Sequence, residues 1–246
     1  MFKKTTRTIS SFMTLAYASV FLVTGCQTTS QNTQSASPAP ALAETVDSLL
    51  DKLRADYRTG GPDVDYRQAE RAYKQDSQNP QNAALYAKAL RQNGLTKRAE
   101  IILTPFLKND PDAALLSEYS AILLEEGRFA RAEQYANMAM DKDPRYHMAY
   151  QTLGIALDAQ GYHDRAEAAF RDGLSIWQGD PVPILNNLAL SLSSQGYIED
   201  AQDILRRASE AAPQRSEIER NLRIISALQK NVQDGRSGEE LEPITN

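Results

Sequence analysis

The sequence predicts an all-α fold in which pairs of short helices stack as a right-handed solenoid. The composition favours helix over sheet, because only 7% of the 246 residues are aromatic while alanine, leucine, glutamine and arginine are plentiful. The strongest observation is a period of 33 to 35 residues, which is typical of a solenoid. A glycine recurs at this spacing and an alanine follows each glycine by five residues: Gly94, Ala99, Gly127, Ala132, Gly161, Ala166, Gly196 and Ala201.

Each unit of the period has the parts of a helical hairpin. In the third clear unit, Tyr150, Leu153 and Leu157 lie on one face of a first helix. The glycine allows a tight turn, and Ala166 and Phe170 then face inward from a second helix. The small alanine lets the two helices approach closely, and a proline such as Pro111, Pro144 or Pro213 separates most units.

This pattern resembles the tetratricopeptide repeat (TPR), whose signature is W-x2-L-G-x2-Y…A-x3-F…P. The third unit matches best, with Tyr150-x2-Leu153-Gly154-x2-Leu157 followed by Ala166-x3-Phe170. The first two units depart from the pattern at the early glycine, where they carry Ala87 and Ser120. We predict four TPR units over residues 80–215.

The flanking segments are weaker versions of the same unit. Residues 42–79 are predicted to be a degenerate N-terminal repeat, with one helix from Leu42 to Tyr57 and a second one through Tyr66, Ala69 and Tyr73. Residues 216–233 are predicted to be a capping helix, because a solenoid needs a polar last face. Residues 234–246 are rich in Gly, Ser, Pro and acidic residues, and we expect a disordered tail.

The N-terminus has the features of a secretory signal. A basic region precedes an apolar run of about 12 residues, which is too short to span a bilayer as a helix. Val23, Thr24 and Gly25 then precede Cys26, the only cysteine, and this stretch resembles a bacterial lipobox. The resemblance implies a signal peptide over 1–25, lipidation of Cys26 and a lipid-anchored protein. An ordinary signal peptide, or a membrane anchor with an incidental cysteine, is the alternative.

Residues 26–41 are uncharged and nearly without apolar bulk, so we expect the lipidated cysteine to be followed by a flexible tether. Gln27 follows the cysteine. In lipoproteins of this kind an aspartate there is the usual signal for retention in the inner membrane. The resemblance therefore implies the periplasmic face of the outer membrane of a Gram-negative bacterium.

Composition and motifs exclude most kinds of chemistry. The net charge of −5 argues against nucleic acid as a partner, since phosphates require clustered Lys and Arg. One cysteine and two histidines leave little for a metal site, and no phosphate-binding, zinc-protease or nucleophile-elbow motif occurs. His147 is expected to be exposed and His163 to have a packing role. We predict no enzyme, no metal and no cofactor.

The remaining functional candidate is a protein-binding surface. Stacked hairpins curve, and their first helices line a concave face. Asn187 and Asn221 fall at equivalent places one repeat apart, where an asparagine either grips a peptide backbone, as in some TPR proteins, or caps a helix or bonds to another helix. The residues predicted to bind a partner are Ser117, Ala121, Gln151, Ile155, Asp158, Asn186, Asn187, Leu190, Ser193 and Asn221.

A more specific resemblance comes from Ile184-Leu-Asn-Asn-Leu-Ala-Leu-Ser-Leu, Leu205-Arg206-Arg207-Ala208 and Glu219-Arg220-Asn221-Leu222. Together with the lipobox, these runs are similar to the TadD family of TPR lipoproteins of the tight-adherence (Flp) pilus machinery, and pilotins share the layout. The resemblance implies a non-enzymatic assembly factor whose partners are the secretin or other pilus components. The alternative is an adaptor that recruits substrates to an envelope protease or cell-wall hydrolase.

Overall fold

The computed structural model describes residues 42, 44–50 and 65–233, with side chains as far as residue 230. These residues are almost entirely helical and contain no strand, so the predicted all-α class is confirmed. They fall into two compact units. The first contains residues 65–110, and the second contains the helical stretch 44–50, here α1, together with residues 111–233.

The first unit consists of α2 (Tyr66–Gln75), α3 (Pro80–Gln92), α4 (Thr96–Leu103) and a 3₁₀ helix (Thr104–Lys108). Asn79 caps α3 by accepting hydrogen bonds from the backbone N–H groups of Gln81 and Asn82. The ring of Tyr73 stacks on that of Tyr86 at a centroid distance of 5.3 Å, which ties α2 to α3.

Besides α1, the described part of the second unit contains three helix pairs and a last helix. The first helices are α5 (Ala113–Glu125), α7 (His147–Asp158) and α9 (Val182–Ser194). The second helices are α6 (Phe129–Lys142), α8 (His163–Ser175) and α10 (Ile198–Ala211). The last helix, α11, spans Ser216–Gln233, which are the bounds predicted for the capping helix.

The hairpin turns have the predicted glycine geometry. Gly127, Gly161 and Gly196 have φ values of 71, 81 and 90°, in the left-handed region that favours glycine. The residue after each glycine donates its N–H to a carbonyl five residues earlier, for example Tyr162 to Leu157 at 3.0 Å. This hydrogen bond satisfies a carbonyl that the end of the helix would otherwise leave without a partner.

The alanines predicted to permit close packing are fully buried, since Ala99, Ala132, Ala166 and Ala201 each have 0% exposure. The two helices of a pair approach most closely at Gly154, where an added Cβ would lie 2.4 Å from the ring of Phe170. The early glycine of the repeat signature is therefore needed where the second helix carries a bulky aromatic side chain at this contact.

Contacts between the pairs indicate which side of the second unit is concave. Neighbouring first helices contact each other, α5 with α7, α7 with α9 and α9 with α11. Within the described residues, α6, α8 and α10 make no comparable contacts with one another. Helices that approach one another lie on the inner side of a curved stack, so the first helices form the concave face, as predicted.

The helix α1 departs from the prediction. Its expected partner was α2, within a degenerate repeat over 42–79, but α2 packs on α3 in the first unit while α1 belongs to the second. Leu42, Val46 and Leu50 join the hydrophobic core formed by α7 to α11, and Val46 is 0% exposed. Residues 51–64 of the predicted repeat lie outside the described part of the chain.

An ion pair places α1 on one flank of α10, because Asp47 pairs with Arg207. On the same helix, Gln202 donates to Ser226 and Gln229 of α11, at 3.2 and 2.9 Å. Residues 202 and 207 are five positions apart, which places them on different sides of an α-helix. The helix α10 is therefore held between α11 on one flank and α1 on another.

Candidate partner-binding groove

The concave side of the second unit presents a row of half-buried side chains along α5, α7 and α9. We call this surface the groove and define it by six of the predicted residues: Ala121, Gln151, Ile155, Asn187, Leu190 and Ser193. Ile155 and Leu190 rest on the hydrophobic core with one side while part of each remains exposed. These two residues give the groove an apolar floor.

Three of the predicted binding residues are buried instead. Ser117 is 3% exposed, and Asn186 and Asn221 are each 6% exposed. Residues at these places turn toward the adjacent helix, because neighbouring first helices are in contact there. The prediction that they line an open surface is corrected by this burial.

The two buried asparagines bond to each other. The amide Nδ2 of Asn221 on α11 donates to Oδ1 of Asn186 on α9 at 2.7 Å. Of the alternatives for Asn221, the structure therefore favours the hydrogen bond between helices, which secures the cap to the last full repeat. Asn187, the next residue along α9, remains half-buried, so a role in gripping a peptide backbone stays a prediction for that residue.

Asp158 lies at the end of α7 and accepts a hydrogen bond from Nδ1 of His163 at 2.8 Å. The packing role predicted for His163 is thus replaced by a polar one, in which the imidazole ties the start of α8 to the end of α7. His147 also differs from the prediction of an exposed side chain, because its ring packs edge-on against Trp177 at 4.5 Å.

Ile224, which was not among the predicted binding residues, extends the apolar row formed by Ala121, Ile155 and Leu190. Ile224 on α11 is 47% exposed, a large fraction for an isoleucine. It follows Leu190 by 34 residues, as Leu190 follows Ile155 by 35 and Ile155 follows Ala121 by 34. The repeat spacing predicts Ile224 if it is continued from Leu190 into the capping helix.

The groove helices of the second unit carry no basic side chain. Neither Lys nor Arg occurs in α5, α7 or α9, whereas the second helices α6, α8 and α10 each carry two. Acidic residues do occur on the groove helices, at Glu118, Glu125 and Asp158.

The acidic charge affects a neighbouring tyrosine. Burial, together with the nearby carboxylates of Glu118, Asp112 and Asp143, which disfavour the phenolate, raises the pKa of Tyr146 to about 12. The phenol of Tyr146 therefore stays protonated at neutral pH.

The described residues contain no group of three or more His, Cys, Asp or Glu side chains placed to hold a metal ion. None of their helices is both long enough and apolar enough to cross a bilayer. The lipobox residues Val23, Thr24 and Gly25 and the lipidation site Cys26 lie outside the described part of the chain.

No protein-family model and no curated protein matches the sequence. Solved structures do share its fold. A thermophilic TPR protein of Thermus thermophilus is 21% identical with a TM-score of 0.58, over 74% of this chain and 99% of that one. A tetratricopeptide repeat protein from Parabacteroides merdae is 18% identical with a TM-score of 0.51, over 77% and 76%.

The Cut9–Hcn1 complex of the APC/C gives a TM-score of 0.59 at 16% identity, over 78% of this chain and 35% of that one. Likeness at such low identity concerns the fold alone. Together with the helix pairs, turn glycines and buried alanines described above, it shows that this chain is an all-α tetratricopeptide-repeat solenoid.

Proposed function

We propose that this protein is a lipid-anchored scaffold that binds a protein partner in its groove and assists the assembly of a pilus or secretion apparatus at the outer membrane. The observation that carries the scaffold role is the groove itself, a concave row of half-buried side chains with an apolar floor at Ile155 and Leu190. A partly exposed apolar row on a curved solenoid is a surface suited to a protein segment.

Both histidines are engaged with neighbouring side chains, His163 with Asp158 and His147 with Trp177. Binding and positioning of partner proteins is the activity that the groove supports best.

The membrane anchor and the pilus role are supported by the sequence. The lipobox Val23-Thr24-Gly25-Cys26 and the runs similar to TadD, around Asn186 and Asn221, motivate both. In the proposed arrangement, acyl chains on Cys26 hold the protein at the periplasmic face of the outer membrane. More than one acyl chain is needed, because a single chain gives only marginal binding.

Fractionation tests the anchor. Wild-type protein is expected in the outer-membrane fraction, and the Cys26→Ser variant in the periplasmic fraction. If both remain in the same fraction, the anchor is not a lipid on Cys26.

Deletion and crosslinking test the pilus role. A deletion strain is expected to lose surface pili or secretin multimers, and photocrosslinkers at Ile155 and Leu190 are expected to capture a pilus component. Capture of an envelope protease or cell-wall hydrolase, with normal secretin multimers in the deletion strain, would instead support the adaptor function.

A further inference from the structure

The packing of α1 is a feature of the second unit that the repeat pattern does not explain. Leu42, Val46 and Leu50 lie four residues apart, on one face of the helix. All three are buried in the hydrophobic core that contains α10. Asp47 beside them pairs with Arg207 of α10. Apolar burial and an ion pair thus hold α1 on the second unit.

The flank of α10 that α1 covers is open on the other second helices. Arg207 occupies the same place in its repeat as Asp172 on α8 and Met138 on α6, at spacings of 35 and 34 residues. Those two side chains are exposed, whereas Arg207 is half-buried. The second helices lie on the convex side of the second unit, because the first helices form its concave face. The helix α1 therefore packs on the side opposite the groove.

The position of α1 decides where the predicted tether joins the folded protein. Fifteen residues, 27–41, separate the predicted lipidation site Cys26 from the buried Leu42. Without the packing of α1, the first packed helix would be α2, which begins at Tyr66, and 39 residues would separate it from Cys26. As flexible chains, 15 residues span about 20 Å on average and 39 residues about 35 Å.

A tether of about 20 Å is no longer than two packed helices are wide, since one helix with its side chains is about 10 Å across. The side of the second unit that carries the tether therefore stays nearer to the membrane, on average, than the opposite side. That nearer side is the convex one, where α1 packs.

From this packing we propose that α1 is a clamp that joins the lipid anchor to the convex side of the second unit, so that the groove stays near the membrane and opens away from it. A partner segment can then enter the groove without passing between the solenoid and the bilayer. This inference rests on the proposed function, because it requires the lipid on Cys26.

Energy transfer to a membrane tests the proposal. The full-length lipidated protein is reconstituted into vesicles that contain acceptor-labelled lipids. A donor fluorophore is attached through an unnatural amino acid, either at the exposed Asp172 on the convex side or at Gln151 in the groove, so that Cys26 remains available for the lipid. We expect the donor at residue 172 to lie closer to the bilayer than the donor at residue 151.

Matched variants test the clamp. Val46→Asp should release α1, because it places a carboxylate at a position with 0% exposure. Both donors should then move about 10–15 Å away from the bilayer, and the difference between them should disappear. Ser48→Asp adds the same charge on the exposed side of α1 and should leave both distances unchanged.

A milder variant covers the case in which Val46→Asp disturbs the whole fold, as judged by circular dichroism. Asp47→Arg repels Arg207 without placing a charge in the core, and it should shift both donors in the same direction by a smaller distance.

The outcomes separate the clamp from the anchor. If the two donors lie equally far from the bilayer in the wild type, or if Val46→Asp and Ser48→Asp give the same distances, the role of α1 is overturned while the lipid anchor stands. If mass spectrometry finds Cys26 without a lipid and the protein does not bind vesicles, the proposed anchor is overturned as well.

Discussion

The contact between Gly154 and Phe170 allows a sharp test of the packing within a repeat. A Cβ added at Gly154 would lie 2.4 to 2.7 Å from three ring carbons of Phe170, and this ring is only 1% exposed. The Gly154→Ala variant must therefore displace a ring that has no free space. Overpacking of this kind costs about 1–3 kcal/mol.

The replacement also has a favourable contribution, because alanine is a better helix former than glycine by about 0.8–1 kcal/mol. The short contact places the overpacking cost toward the upper end of its range, so we expect a net loss of about 1–2 kcal/mol. For a chain of this size the melting temperature should fall by about 2–8 °C, as measured by circular dichroism.

Neighbouring repeats supply the control. The equivalent pair one repeat later is Ala189 with Leu205, which are both fully buried, so a Cβ is tolerated where leucine replaces phenylalanine. The Phe170→Leu change should therefore cost less stability in the Gly154→Ala background than in the wild type. If Gly154→Ala is as stable as wild type, or if the two changes are simply additive, the steric reasoning is wrong.

Three further changes test other contacts. Ala166→Leu should cost about 1–3 kcal/mol by overpacking the fully buried contact between α7 and α8, and an unchanged melting temperature would contradict the helix pairing. Val46→Ala should lower the free energy of unfolding in urea by about 1.6 kcal/mol, since it removes two buried methyl groups, while a change at the exposed Ser48 should have no effect. Asn221→Ala should cost about 1–3 kcal/mol by leaving the buried Asn186 oxygen without its donor, and a stability loss below that range would mean that water replaces the amide.

Much of the groove could be predicted because the repeat fixes its register. The spacing to the turn glycines places Ile155 and Leu190 at equivalent positions of α7 and α9, where both are half-buried, and the same spacing extends to Ile224. Burial within the row was harder to predict. Asn186 and Asn187 are adjacent in sequence, yet a rotation of about 100° around α9 leaves the first bonded to Asn221 and the second half-buried.

The sequence by itself determined the helix pairs, their turns and their order, because these depend on a local spacing of residues that recurs in every repeat. Gly127, Gly161 and Gly196 end first helices in the left-handed conformation, and the buried alanines face the contact within each pair. Only the tertiary structure decided the position of α1, which packs on α10. The physical reason is that an apolar stripe such as Leu42, Val46 and Leu50 shows that a helix face must be buried but does not show which helix covers it. Here the covering helix is distant in sequence, since Asp47 and its ion-pair partner Arg207 are 160 positions apart.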